Sequence, residues 1–126
     1  MYGLQFPGVE IVVVDLSDWE ATKTAVEDCG PIDLLVNNAG ITILQPVGQV
    51  SEGALDLIFA INVKAPINIA QVVAEGMRQR GKGGAIVSLS SQAALVALPN
   101  HAAYCASKAA LDQATKVMAL ELGPHK

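Results

Sequence analysis

The sequence is short of charge and of cysteine, and each shortage excludes something. Charged residues make up 16% of the 126, against about 25% in ordinary domains. Eight are basic and 12 acidic, for a net charge of −4. A chain so poor in clustered Lys and Arg has no grip on a phosphate backbone or an anionic lipid surface, so neither a nucleic-acid nor a membrane partner is expected. Two cysteines, Cys29 and Cys105, are too few for a disulfide framework and point to a reducing, cytoplasmic setting. Met1 to Phe6 lacks the basic region of a signal peptide. From Gly83 to Ser107 there is no Asp, Glu, Lys or Arg for 25 residues. That stretch does not read as a membrane span, because Ser88, Ser90, Ser91, Gln92, Pro99, Asn100 and His101 interrupt it.

What is present is apolar. The hydrophobic fraction of 52% gives ample surface to bury and excludes a disordered chain. The length allows one domain at most. Val9 to Leu16 (VEIVVVDL) is β-branched and predicts a buried strand. Ser17 and Glu20 have capping-box spacing and predict a short helix to about Asp28, closed by Gly30-Pro31. Ile32 to Asn37 is a second strand, running into Asn38-Ala39-Gly40. Ser51 caps a long helical region reaching about Arg80, in which Pro66 kinks or restarts the helix and leaves carbonyls near Asn62 unpaired. After the turn Gly81 to Gly84, Ala85 to Leu89 predicts a third strand ending in Ser90-Ser91. A loop to about His101 leads to a helix from Ala102 to Leu122, stopped by Gly123-Pro124. The order β-α-β-α-β-α implies an α/β fold with a parallel sheet and right-handed crossovers. In such sheets chemistry sits beyond the carboxyl ends of the strands.

Several polar residues fall at those ends. Tyr104 and Lys108 share one face of the last helix at i, i+4. A lysine cation beside a phenol favours the phenolate and makes a usable proton donor and acceptor. Any helix can carry Tyr and Lys four apart, so the pair says little alone. Ser91 ends a strand thirteen residues before Tyr104, where its hydroxyl can bond a substrate oxygen; a strand-end serine is also an ordinary turn residue. Asn37-Asn38-Ala39-Gly40 offers small side chains and backbone N–H groups to a nucleotide, or forms an Asx turn. Asn62, on an otherwise apolar helical face, is either a structural plug or a polar relay. No cluster has metal-ligand spacing. A serine hydrolase using Ser91 is disfavoured, because no Gly-x-Ser-x-Gly elbow is present.

In combination, Asp15, Asn37 to Gly40, Asn62, Ser91 and Tyr104-Cys105-Ala106-Ser107-Lys108 resemble the short-chain dehydrogenase/reductase family, over roughly Phe6 to Lys126. Within it the wording is most similar to the dicarbonyl and tetrameric carbonyl reductases. The resemblance implies a Rossmann-like doubly wound sheet, of which this chain holds family strands 3, 4 and 5. It implies NAD(P)H-dependent carbonyl reduction, with NADPH favoured over NADH, on a small carbonyl or sugar/polyol substrate, by a homodimer or homotetramer. Tyr104 would protonate the carbonyl oxygen, and Ser91 would hold it. Lys108 would ease proton loss from Tyr104 and bind the nicotinamide ribose. Asn62 would anchor a water that relays protons to Lys108. Asp15 and Leu16 would meet the adenine, and Asn38, Ala39 and Gly40 the adenosine side. Gln92 and His101 fall where those reductases place substrate contacts; for His101 a plain loop histidine is an equal reading.

The sequence also departs from the family. Members are longer: their N-terminal strand-helix-strand with its Thr-Gly-x-x-x-Gly-x-Gly turn has no counterpart here, and the sequence stops at Gly123-Pro124-His125-Lys126, directly before the family's next, C-terminal strands. That turn sets the pyrophosphate on a helix N-terminus. The 126 residues therefore read as an incomplete domain, not expected to bind NADPH with native affinity alone. Met1 to Gln5 do not match and read as an alternative start. Family sheet order is 3-2-1-4-5-6-7, so strand 3 either re-pairs beside strand 4 or stays exposed. An alternative reading is a non-catalytic isoform that associates with full-length family subunits through its long helices.

Overall fold

The computed structural model describes residues 8–125; the stretch Met1 to Gln5, read above as an alternative start, lies outside them. Helix α1 spans Trp19–Asp28, strand β1 Leu34–Asn37, helix α2 Glu52–Phe59, helix α3 Ala65–Gln79, strand β2 Ala85–Ser88 and helix α4 Ala102–Leu122. β1 and β2 pair in parallel, with Leu34 opposite Ala85 and Asn37 opposite Ser88. The connection between them runs through α2 and α3, the crossover a parallel pair requires. The helices pack as one layer: α1 on α3, α3 on α4 and β1, α2 on α4. The strands alternate accordingly. Asn37 is buried, while Leu34, Val36 and Val87 face the other way and are 75%, 61% and 53% exposed.

The first expected strand is not formed. Val9 to Leu16 carries no strand pairing, and Val9, Ile11 and Val13 are exposed. Strand propensity is only a fit to a pleated, half-buried surface. Without a neighbouring ladder, these β-branched residues have nothing to pair with. Of the two outcomes anticipated for family strand 3, exposure is the one observed. The doubly wound sheet is accordingly represented by two strands with helices on one face.

The cap of α1 is also shifted by one residue. Ser17 donates both its N–H (2.9 Å) and its hydroxyl (2.8 Å) to Asp15 Oδ1, an Asx turn. These bonds hold the Asp15 carboxyl below the usual carboxylate range. Asp18 takes the N-cap, accepting from Ala21 N–H at 2.9 Å. Glu20 then sits second in the helix, out of capping-box register.

The long helical region behaves as its residues dictate. Ser51 Oγ caps α2 by accepting from Ala54 N–H at 3.3 Å. Between α2 and α3 lies one π-helical turn, Ala60–Lys64, in which Ala65 N–H donates to Ala60 O. Pro66 follows at once, and it has no N–H for the carbonyl of Asn62 four residues back. The wider i→i+5 turn absorbs that lost bond, so the expected kink takes the form of a π-bulge. Glu52–Gln79 is long and apolar enough to cross a membrane. Its inner side instead packs on α1, β1 and α4, and it carries the buried amides Asn62 and Asn68.

At the far end of the sheet, Lys82 and Arg80 pair with Asp33 at 2.7 and 3.1 Å. The Lys82 hydrogen bond, more than any other contact, draws the Asp33 carboxyl below its ordinary range. Gly84 enters β2 beside them, and a Cβ there would overlap the Asp33 carbonyl oxygen and the Met77 side chain. The backbone oxygen cannot swing aside, because it accepts from Ala85 N–H. Gly84→Ala should therefore destabilise the chain by about 1–3 kcal/mol, as overpacking does. Urea denaturation is the check, and an unchanged midpoint would show that the strand entrance has slack.

Candidate active site

The carboxyl ends of both strands meet the start of α4. Leu89 N–H donates to Asn37 O at 2.9 Å, carrying the ladder one bond past β2. Asn37 Nδ2 reaches Pro66 O and Ser88 Oγ, each at 3.4 Å, so this buried amide pins the strand end to α3. Asn38, Ala39 and Gly40 follow as an exposed loop.

Lys108 projects from α4 into this edge and is 4% exposed. An ammonium that deep must be bonded. Its Nζ donates to Leu89 O at 2.8 Å, which occupies one of three donors. Nζ also stands 5.9 Å from the Tyr104 ring centroid. A Cβ on Gly40 would lie 3.4 Å from both Lys108 Nζ and Asn62 Oδ1. Glycine thus lets the loop backbone pass close to the ammonium. Tyr104 is half-buried, with the His101 ring edge-on at 6.1 Å.

Asn62 joins the three elements. It is fully buried. Its Oδ1 accepts from Ile41 N–H at 2.8 Å, and its Nδ2 donates to Ile41 O at 2.9 Å and Ser107 Oγ at 3.0 Å. Ser107 Oγ in turn donates to Tyr104 O at 2.8 Å. The amide is therefore spent on the protein, and the plug reading of Asn62 fits its side chain. A water anchored at this residue would need its backbone carbonyl, the one that Pro66 leaves without an i+4 donor.

Ser91 Oγ accepts from Ala93 N–H at 3.1 Å and caps the short 3₁₀ turn Gln92–Ala94. Both the turn role and the substrate role are compatible, because the hydroxyl hydrogen is not used in that bond. α4 packs on this turn. Gln92, the first residue of the turn, is exposed. His101 stands at the N-cap position of α4, its Nδ1 at 2.6 Å from Pro99 O. Asp15 and Leu16 are not brought into the cluster by any hydrogen bond among the described residues. They end the unpaired run, where Asp15 is occupied with Ser17.

Two contributors were given no role in the sequence reading, although Ser107 lies within the Tyr104-to-Lys108 motif. Ser107 is completely buried and ties Asn62 to the Tyr104 turn; its place at i+3 from Tyr104 was the available signal. Gln45 links the loop after β1 to the start of α4 and gave no local signal. Two concavities, about 620 and 680 Å³, lie elsewhere. One opens between α1 and α3, the other between α3, β2 and α4.

The carboxyl-end edge of the parallel sheet thus carries Lys108 and Tyr104 over a clamped Asn62, with the turn that Ser91 caps packed on α4. The chain belongs to the short chain dehydrogenase family, whose profile matches residues 5–126. It is similar to the L-xylulose reductase of Mesocricetus auratus, 58% identical over 120 residues, which are 95% of this chain and 49% of that protein. The D-erythrulose reductase of Gallus gallus is 51% identical and carbonyl reductase (NADPH) 2 of Sus scrofa 46% identical, each over the same shares of the two chains. Among solved structures, 4-hydroxyisoleucine dehydrogenase complexed with NADH superposes with a TM-score of 0.86 at 35% identity, over 90% of this chain and 52% of that one. The apo form of LigO from Sphingobium sp. strain SYK-6 gives a TM-score of 0.85 at 33% identity, over 90% and 44%. The chain spans about half the length of the curated relatives it matches.

The Asn62 clamp is open to direct test. Asn62→Ala would leave the half-buried Ile41 N–H and carbonyl without their partner, at about 1–3 kcal/mol for each unpaired group. The expected result is a loss of roughly 3 kcal/mol in urea unfolding and faster amide exchange at Ile41. Wild-type exchange at Ile41 would mean that the loop is held by something else.

Proposed function

We propose that this segment is the catalytic half of an NAD(P)H-dependent carbonyl reductase. The observation that carries the reading is the buried Lys108 ammonium. It is tied to the end of β2 by Leu89 O and set beside Tyr104, one helical turn away on α4. Tyr104 gives its phenolic proton to the substrate's carbonyl oxygen, and Ser91 donates its hydroxyl hydrogen to the same oxygen. Lys108 stabilises the phenolate left on Tyr104. Protons return to Lys108 through a water held by the Asn62 backbone carbonyl. The substrate is a small carbonyl compound, a ketose or a dicarbonyl, with Gln92 and His101 at its far end. These assignments are supported by the family's pattern and by the reductases named above.

The cofactor when bound supplies the hydride. The residues present suit its nicotinamide-ribose and adenosine portions. Lys108 keeps donors beyond its bond to Leu89 O, the glycine at 40 admits close backbone approach, and Asn38 and Ala39 are exposed for the adenosine side. Asp15 and Leu16 are assigned to the adenine. NADPH is preferred to NADH on the name of the Sus scrofa relative. The setting is cytoplasmic and reducing, in keeping with free thiols at Cys29 and Cys105.

Proton donation is tested by Tyr104→Phe in a full-length family protein that contains this segment. Carbonyl reduction should fall by about 10²–10⁴-fold or more, with cofactor binding kept. A variant that keeps half its activity would remove Tyr104 from the reaction.

A second reading concerns assembly. Leu57 on α2 is 41% exposed, Leu120 on α4 is 80% exposed, and Leu55 and Val117 accompany them. We propose that these helix faces are covered by another subunit, either a second copy or a longer member of the family. Sedimentation at micromolar concentration should show association, and Leu120→Glu should reduce it. A monomeric wild-type chain that also ignores a co-expressed longer relative would overturn this reading.

A further inference from the structure

Gln45 sits in the loop after β1, half-buried, and reaches two other parts of the molecule. Its N–H donates to Asn100 O at 3.0 Å, inside an isolated parallel bridge between Gln45 and His101. Its side-chain Oε1 accepts from Ser51 N–H at 3.1 Å, and its Nε2 donates to Ser51 Oγ at 3.4 Å. Ser51 is the N-cap of α2. One residue therefore joins the loop after β1, the capped start of α2 and the turn that opens α4.

The turn it holds is a demanding one. His101 N–H donates to Leu98 O at 3.2 Å, so Leu98, Pro99, Asn100 and His101 form a β-turn. Asn100 has φ +63°, the one positive φ on a non-glycine among the described residues. Pro second and a left-handed Asn third are the residues of a type II turn. A non-glycine there carries a conformational cost. The Gln45 N–H offsets it by bonding the Asn100 carbonyl in that orientation. The turn's shape also brings Pro99 O to the His101 ring, where Nδ1 lies 2.6 Å away. A carbonyl oxygen only accepts, so that contact needs the proton on Nδ1. The ring so fixed stands edge-on to Tyr104.

We propose that Gln45 is a positioning residue: through its N–H and side-chain amide it latches the Leu98–His101 turn to the capped start of α2, and so fixes the tautomer and placement of the His101 ring beside Tyr104. The functional meaning rests on the reading of Tyr104 as proton donor. The latch itself is a structural property and can be read without turnover.

The test uses the uniformly ¹⁵N-labelled 126-residue chain, read at the His101 ring nitrogens and at the amide of position 45. In the wild type the His101 ring should be mainly the Nδ1–H tautomer, and the Gln45 amide should be protected from exchange. In Gln45→Ala the amide at position 45 should exchange about three to ten times faster, and the His101 signals should move toward the Nε2–H form. Gln45→Glu at neutral pH should restore both, because a carboxylate accepts from Ser51 N–H and from its hydroxyl. A wild-type ring that is mainly Nε2–H overturns the proposal. So does a Gln45→Ala chain with unchanged exchange and tautomer, or a Gln45→Glu chain that behaves as the alanine variant. Should alanine unfold the chain, the glutamate variant alone decides. An active Tyr104→Phe enzyme would sink the catalytic reading and leave this result standing; an unchanged His101 would sink the latch alone.

Discussion

Everything at the candidate site hangs on the way Asn62 is spent. A fully buried amide in an apolar helix must find partners. This one finds them on a loop and on another helix: both polar groups of Ile41, and Ser107 on α4. The loop after β1 and the Tyr104 turn of α4 are thereby referenced to the same point on the α2–α3 run. Asn62 reaches that point from the π turn Ala60–Lys64, and Pro66 forces a break in the ordinary ladder at this place. The amide that fixes the architecture and the carbonyl left without an i+4 donor belong to one residue, for one reason.

Lys108 shows how the same geometry serves chemistry. Burial of an ammonium is unfavourable unless bonded, and its single protein carbonyl, Leu89 O, lies where strand pairing stops. A carbonyl further up the strand would be engaged in the ladder. Glycine at position 40 keeps the opposite wall thin enough for the loop backbone to lie against the ammonium. The cation is held firmly yet keeps donors for a ligand, as the role proposed for it beside a ribose and a phenolate requires.

Much of this was legible in the sequence, wherever the controlling interactions are local. Ala102–Leu122 matches its expected span, because it is set by good helix formers and by Gly123-Pro124 behind it. Ser51 caps α2 as its spacing suggests. Pro66 announced a disturbance, although not its π form. Ser17 was misread because Asp18, one residue on, supplies the oxygen that accepts from Ala21 N–H, while the Ser17 N–H and hydroxyl donate to Asp15. Val9 to Leu16 failed for a larger reason. A β-branched run states that it can pair, and says nothing of whether a partner strand is at hand. Gln45 and Ser107 were not visible because their partners lie on other elements, at sequence separations that no periodicity encodes.

The unequal fate of the strands bears on how the chain would treat a dinucleotide. β1 and β2 are adjacent in the family order, so their register survives with no help from strands 1 and 2. The site built on them depends on bonds among Asn62, Ile41, Ser107, Lys108 and Leu89, all within this segment. The adenine end is different. Asp15 ends a run that no ladder holds, yet its carbonyl oxygen accepts from Asp18 N–H at 3.0 Å and from the Thr22 hydroxyl at 3.2 Å. It is thereby referenced to α1, which packs on α3, rather than to a neighbouring strand. The proposed adenine end and the proposed proton-transfer end are therefore related through the helix layer, and only the second is also fixed by the sheet.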